Sequence, residues 1–115
     1  MRNWAETAAR RYLEECGYAT LAENYYTRRG ELDLVMRDGG VTVFVEVRQR
    51  KDHRFGAPGE TIDAQKLGRL RAVALHFLAR TYGRDDVPAR FDAVLITGSR
   101  GRYRLEHLKD IPLGD

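Results

Sequence analysis

Three carboxylates and an arginine stand among alternating apolar residues in the stretch RRGELDLVMRDGGVTVFVEVRQR, residues 28–50. The acids are Glu31, Asp33 and Glu46, and Arg48 follows two residues after the last of them. Asp and Glu are poor strand formers, so their presence in strand positions requires a compensating partner. Two carboxylates can hold a divalent cation against a phosphate, and a nearby cation can stabilise the charge that develops during phosphodiester hydrolysis.

The pairing of these residues follows from the Gly39-Gly40 dipeptide, which predicts a two-residue hairpin turn. The turn sets Asp38 opposite Val41, and the resulting register places Asp33 opposite Glu46 and Glu31 opposite Arg48. The same register predicts one apolar face made of six residues, Leu32, Leu34, Met36, Val43, Val45 and Val47.

Carboxylates that face each other across two strands have Cβ atoms roughly 4.5–5.5 Å apart and repel each other unless a cation or a proton intervenes. The hairpin therefore predicts a site for a hard divalent cation, Mg²⁺ or Mn²⁺. Arg48 projects from the same face as Glu46. The competing interpretation is a solvated sheet face on which each carboxylate pairs with an arginine.

The elements that must position this hairpin are predicted from the spacing of apolar residues. Their order is helix, strand, strand, strand, helix, strand, strand, over residues 5–16, 18–26, 31–37, 41–50, 61–83, 90–97 and 103–108. Gly17 is placed to end the first helix, and Thr61 is the predicted N-cap of the second. Because the second helix is long and lies between strands, it allows a parallel crossover. The predicted class is α/β, with a central mixed sheet flanked by helices.

Length and composition favour a single domain over residues 1–115, with 43% hydrophobic residues providing a core. The net charge of +3 gives weak support for nucleic-acid binding. Neither a signal peptide nor an apolar run of roughly 20 residues is present in the sequence, so we expect a cytoplasmic protein. The single cysteine, Cys16, excludes an internal disulfide, and we expect it to be buried on the helix.

The segment GELDLV…FVEVR resembles the PD-(D/E)xK nuclease motif of the restriction-endonuclease-like fold. The chain as far as about Ile96 resembles the UPF0102 (YraN-like) proteins, which are similar to archaeal Holliday junction resolvases. The matching segments are AETAARRYLEECGYATLAENYYTRRGELDLV, VFVEVRQR, DAQKLGRLRAVALHFL and RFDAVLI. The resemblance implies a metal-dependent endonuclease that acts on branched or structured DNA in repair or recombination, and by analogy with the resolvases a homodimer.

Carried over residue by residue, the resemblance implies that Asp33 and Glu46 are metal ligands, with the Val47 carbonyl as a third. Glu31 matches the acidic position before the motif Asp, where it could contact the metal through water. Glu6 matches the acidic residue of the first helix. The alternative for Glu6 is a solvated carboxylate favoured by the helix dipole.

The chain departs from the motif at Arg48, where the family pattern has lysine. Arginine keeps the charge and can clamp a phosphate, but it cannot act as a base. Lys66 at the start of the second helix is a candidate substitute, and its alternative is an exposed helix lysine. Asp92 is either a helper on a neighbouring strand or, as we prefer, a structural partner of Arg90 or part of a strand-end turn.

The sequence leaves three functions open. The first is the metal-dependent nuclease. The second is a nucleic-acid-binding protein of nuclease fold with weak or lost catalysis, which the Arg48 departure favours. The third is a protein-interaction domain whose acidic hairpin binds a basic partner.

Overall fold

The computed structural model describes residues 3–50 and 64–112. Within them the order of elements is the predicted one. The elements are α1 (Trp4–Glu15), β1 (Ala19–Thr27), β2 (Gly30–Asp38), β3 (Val41–Arg50), α2 (Ala64–Tyr82), β4 (Ala89–Ser99) and β5 (Arg102–Leu108). The loop predicted after β3 and the predicted N-cap at Thr61 lie outside the described residues.

The five strands form one sheet in the order β1-β2-β3-β4-β5. Strands β3 and β4 are parallel and are joined through α2, whereas the other neighbouring pairs are antiparallel. The predicted parallel crossover is therefore confirmed. A mixed sheet with a helix on each side is the predicted α/β architecture, and it is consistent with the restriction-endonuclease-like fold.

Helix α1 covers one face of the sheet. Its N-cap Asn3 accepts a hydrogen bond from the Glu6 backbone N–H at 2.8 Å. Ala5, Ala9 and Leu13, spaced at four-residue intervals, are buried against alternate residues of β2 and β3. Gly17 follows the helix with φ +97°, a left-handed conformation that suits glycine and ends the helix as predicted. Cys16 is exposed at the helix end, so its predicted burial is wrong.

Helix α2 covers the other face. Its buried residues recur at helical spacing and pack with side chains of the central strands; they are Leu70, Val73, Ala74, Phe77 and Leu78. Because both faces are covered, the first half of β3 is mostly apolar, and the strand is buried from Thr42 to Glu46. Neither helix of the described residues is long and apolar enough to cross a membrane.

The predicted hairpin register is confirmed from Asp38–Val41 to Leu34–Val45, where the observed β2–β3 pairing ends. The predicted continuation, which pairs Leu32 with Val47, is wrong. Leu34 packs beneath α1 as expected, but Leu32 packs in the cluster beneath α2. The six apolar residues therefore do not share one face.

The break in alternation coincides with an irregularity in the neighbouring strand. The pairs Glu23–Leu34 and Tyr25–Leu32 flank residues 24 and 33. Asn24 adopts a left-handed backbone conformation with φ +51°, and Tyr25 beyond it packs on the α2 side together with Leu32. Asn tolerates this conformation better than most residues. The two strands thus change faces together at Asp33, which frees its side chain from the regular pattern.

Candidate active site

Asp33 and Glu46 meet where β2 and β3 stop pairing. The Asp33 Oδ2 atom accepts a hydrogen bond from the Val47 backbone N–H at 2.8 Å, so a side chain joins the two strands here. Glu46 is only 6% exposed, as expected for a residue between Val45 and Val47 on the central strand. The two carboxyl groups are therefore neighbours, although the regular cross-strand pairing predicted for them does not extend this far.

The environment of Asp33 strongly favours its protonated form. Burial, a hydrogen bond with the Glu46 carboxylate and the Glu46 charge together raise the pKa of Asp33 to about 8. The Val47 N–H opposes the rise, and the charge of Glu6 adds to it. The predicted repulsion between two carboxylates is thus present, and in the metal-free protein a proton relieves it.

Two cationic side chains contact Glu46. The Lys66 ammonium lies 2.5 Å from Glu46 Oε2, and an Arg48 terminal nitrogen lies 3.5 Å from the same oxygen. The alternative interpretation of Lys66 as a solvent-facing helix lysine does not describe it, since its side chain is 28% exposed and its ammonium contacts the buried carboxylate. Arg48 lies on the same side of the sheet as Glu46, as predicted.

These groups line one cleft of about 340 Å³ between the sheet and α2, which we call the site cleft. It is lined by Gly30, Glu31, Asp33, Glu46, Val47, Arg48, Lys66, Arg69, Leu70 and Val73. Within the cleft the Arg48 Nε–H is buried and has no hydrogen-bond partner among the described residues. A buried donor without a partner is costly, so this atom is suited to an incoming acceptor such as a phosphate oxygen.

The remaining acidic candidates are less central. Glu31 is exposed at the rim of the site cleft, and the pairing that would place it opposite Arg48 ends before it is reached. Glu6 is partly buried and accepts a hydrogen bond from the Asn24 side-chain amide at 3.0 Å. Because of this hydrogen bond Glu6 is not a purely solvated helix carboxylate, but it does not line the site cleft.

Asp92 has the structural role that the sequence favoured. Its carboxylate is fully buried, receives the Arg90 guanidinium at 3.0 Å and contacts His107 at 2.8 Å. The Asp110 backbone N–H donates to it at 3.0 Å. Although burial alone would raise it, these hydrogen bonds lower the pKa of Asp92 below its ordinary value. Asp92 does not line the site cleft.

Two residues near the site were missed as functional candidates. Asn24 positions Glu6, and the signal for it was an Asn, a poor strand former, inside an otherwise strand-like segment. Arg69 lines the site cleft one helical turn after Lys66. Its i, i+3 spacing from Lys66 places both side chains on one helix face, which the sequence could have shown.

No group of three His, Cys, Asp or Glu side chains that could hold a metal ion is found in residues 3–50 and 64–112. The oxygen donors at the site are therefore the two adjacent carboxyl groups of Asp33 and Glu46. Mg²⁺ is commonly held by one or two carboxylates together with waters and substrate phosphates, so this donor set suits it.

Comparison with known proteins identifies the relatives of this chain. A family model described as "Uncharacterised protein family UPF0102" matches residues 5–96. A UPF0102 protein of Thermus thermophilus is 49% identical over 105 residues, covering 91% of this chain and 90% of that protein. A UPF0102 protein of Halorhodospira halophila is 51% identical over 94 residues, covering 82% and 74% of the two chains. The chain belongs to the UPF0102 family.

The family match has two consequences for the site. It ends at Ile96, as the sequence resemblance predicted, and it includes every residue that lines the site cleft. The UPF0102 name states no activity.

Proposed function

We propose that this UPF0102 protein is a metal-dependent endonuclease that hydrolyses DNA phosphodiester bonds, with branched or structured DNA as its substrate. The observation that carries the proposal is the contact between the Asp33 and Glu46 carboxyl groups in a cleft that also contains Arg48 and Lys66. A carboxylate with a purely structural role would be expected to pair with cationic side chains and not with a second carboxyl group. Here one acid is held against another, at the cost of a raised pKa.

The residues present fit a hard divalent cation. Asp33 and Glu46 would hold Mg²⁺ or Mn²⁺, with the Val47 carbonyl as a further oxygen donor and Glu31 acting through water from the rim. Such an ion supplies an activated water and neutralises charge on the phosphate. A cation between the two carboxylates would also remove the repulsion that raises the pKa of Asp33.

The protein's own cations have distinct tasks in this proposal. Arg48 presents a buried Nε–H without a partner, which suits a phosphate oxygen of the substrate. Lys66 places an ammonium beside Glu46 from helix α2. On the strand itself, the position at which the motif has lysine is Arg48. Since the Lys66 ammonium lies against the Glu46 carboxylate, Lys66 is the candidate to orient the nucleophile. Glu6 adds negative charge from the α1 side.

The test is single-turnover cleavage of a labelled four-way DNA junction and of a linear duplex, with Mg²⁺ or Mn²⁺ added to metal-free protein. We expect cutting that chelation stops, with a preference for the junction. Asp33→Asn and Glu46→Gln should abolish it, because each removes an anionic ligand and leaves the shape unchanged. Glu106→Gln on the exposed part of β5 is the matched control. Cutting that survives both site substitutions would refute the proposal.

The second candidate is a DNA-binding protein of nuclease fold with weak or lost catalysis, and the observation that favours it is Arg48 in place of lysine. Junction binding that persists after chelation, with no cutting under either metal, would select it. The third candidate, a domain that docks a basic protein through its acidic hairpin, predicts no salt-dependent DNA affinity.

A further inference from the structure

The three hairpin turns of the sheet differ in charge according to the end at which they lie. We call the end where β3 finishes the site end, because Glu46 and Arg48 lie there. Strand directions place the β1–β2 turn and the β4–β5 turn at the site end, and the β2–β3 turn at the opposite end. The two turns at the site end carry arginines, whereas the turn at the opposite end is Asp38-Gly39-Gly40-Val41.

Both arginine-bearing turns are tight and well defined. The first basic tip is Arg28-Arg29, between the paired residues Thr27 and Gly30. The Thr27 hydroxyl accepts a hydrogen bond from the Arg29 backbone N–H at 3.0 Å, which holds the turn. All four tip positions that carry arginine in the two turns are exposed; they are Arg28, Arg29, Arg100 and Arg102.

The second basic tip is Arg100-Gly101-Arg102, where Ser99 pairs with Arg102. Its geometry depends on Gly98, which has φ +126°. A Cβ atom at position 98 would lie 2.5 Å from the Arg102 carbonyl oxygen, so only glycine allows the strand to turn here. Neither tip's arginines form an ion pair with a carboxylate among residues 3–50 and 64–112.

The two tips stand on either side of the candidate carboxylates. In strand order, the first tip lies between β1 and β2, Asp33 and Glu46 lie on β2 and β3, and the second tip lies between β4 and β5. Three strand spacings of about 4.8 Å separate the tips, which gives about 14 Å. A duplex strand advances about 3.4 Å per nucleotide, so one continuous stretch of about four nucleotides spans that separation.

We propose that the two basic tips bind the DNA backbone on both sides of the phosphate held at Asp33 and Glu46. This inference rests on the proposed function, since it takes DNA as the substrate. Its support is the placement of exposed arginines on both turns that flank the cleft, whereas the turn at the far end has no arginine and its Asp38 pairs with Arg90. Arginine side chains are well suited to phosphate oxygens. The contacts position the strand and read no sequence.

The test measures the affinity for a fluorescent four-way junction in EDTA, which prevents cutting, at 50–200 mM KCl. The variants are the double substitutions R28A/R29A for the first tip and R100A/R102A for the second. The control is R37A/R80A, two exposed arginines on β2 and α2 toward the opposite end. Each lost phosphate contact lowers the slope of log K against log salt by about 0.9, so each tip variant should lose about 2.

At 100 mM KCl we expect each tip variant to bind roughly 10- to 100-fold more weakly and the control to bind like the wild type. R28K/R29K should restore most of the affinity. All variants should melt at the wild-type temperature, since exposed turn arginines contribute little stability. Equal losses in tip and control variants would overturn the inference, whether or not the protein cuts DNA. A wild type that binds neither junction nor duplex would overturn the proposed function together with it.

Discussion

Replacing Asp33 by asparagine should stabilise the metal-free protein. Asparagine keeps the shape and an oxygen that can accept the Val47 N–H hydrogen bond, but it removes the charge that lies against Glu46. The unfolded chain ionises Asp33 at its ordinary pKa, whereas the folded chain holds the proton up to a pKa of about 8. Between pH 3.8 and about 8 the free energy of unfolding of the wild type therefore falls as the pH rises, because the unfolded chain gives up the Asp33 proton more readily than the folded chain. Asp33→Asn has no such proton and keeps this free energy.

The magnitude follows from the pKa difference. One pKa unit corresponds to about 1.36 kcal/mol, so a rise from 3.8 to about 8 sets a ceiling of about 5–6 kcal/mol. Rearrangement of the nearby Lys66 ammonium reduces this figure, and we expect about 2–3 kcal/mol at pH 8. Below pH 4 both proteins carry a neutral side chain, so the difference should vanish. It should grow from pH 4 to pH 8 and stay level above that.

The assay is urea unfolding of both proteins in EDTA at several pH values from 4 to 9. Asp85→Asn, in an exposed loop at the opposite end, is the matched control and should show no such trend. A variant that is less stable than the wild type, or a difference that does not change with pH, would refute the charge repulsion. Added Mg²⁺ or Mn²⁺ at 1,000 times its Kd should reverse the order, because a ligand that binds only the folded wild type stabilises it by about 4.1 kcal/mol at that concentration.

Three further predictions concern the other ionic groups. Arg48→Lys should keep or increase the rate of single-turnover cleavage. Arg48→Ala should reduce that rate by roughly 10²–10³-fold, the effect of removing one electrostatic stabiliser. Equal rates in the wild type and both variants would mean that Arg48 only balances charge. Lys66→Ala should reduce cleavage to a similar extent, roughly 10²-fold, while junction affinity in EDTA changes only a few-fold; unchanged cleavage would exclude a catalytic task for Lys66. Asp92→Asn should cost about 2–3 kcal/mol in urea unfolding at pH 7, since it removes charge-assisted hydrogen bonds from the partly buried Arg90 guanidinium, which keeps Asp38 as its remaining carboxylate partner. Because the pKa of Asp92 is lowered in the folded state, its contribution to the free energy of unfolding is present above about pH 4 and is lost as the pH falls below that value. Acid unfolding that follows the same course in the wild type and in Asp92→Asn would contradict this.

The sequence predicted the elements well because each has a strong local signal. Alanine and leucine at helical spacing define α1, and Gly17 ends it. The Gly39-Gly40 turn fixes the first part of the β2–β3 register. The parallel pairing of β3 with β4 followed from the length of the intervening helix.

The sequence could not show where the hairpin stops being regular. The change of face at Leu32 accompanies the left-handed backbone of Asn24, a residue of another strand. Simple alternation extended the pairing to Leu32 and Val47. It brought Asp33 and Glu46 together, although the regular pairing ends at Leu34 and Val45. The contact between Lys66 and Glu46 could not be predicted from the sequence either. A lysine near a helix start has the same local pattern whether it faces solvent or a buried acid.

The topology explains how the Lys66 ammonium reaches Glu46 from a helix, while the strand carries Arg48. Glu46 lies on the central strand with both faces covered, so its charge must be compensated from a neighbouring element. The crossover to the parallel strand β4 leaves from the end of β3 that carries Glu46, and α2 runs from there toward the opposite end. The first residues of α2 therefore lie beside the carboxylate, and Lys66 is the third residue of that helix. The connection that makes β3 and β4 parallel thus also places a lysine within reach of Glu46, and with Arg48 on the strand both kinds of cation contact that carboxylate.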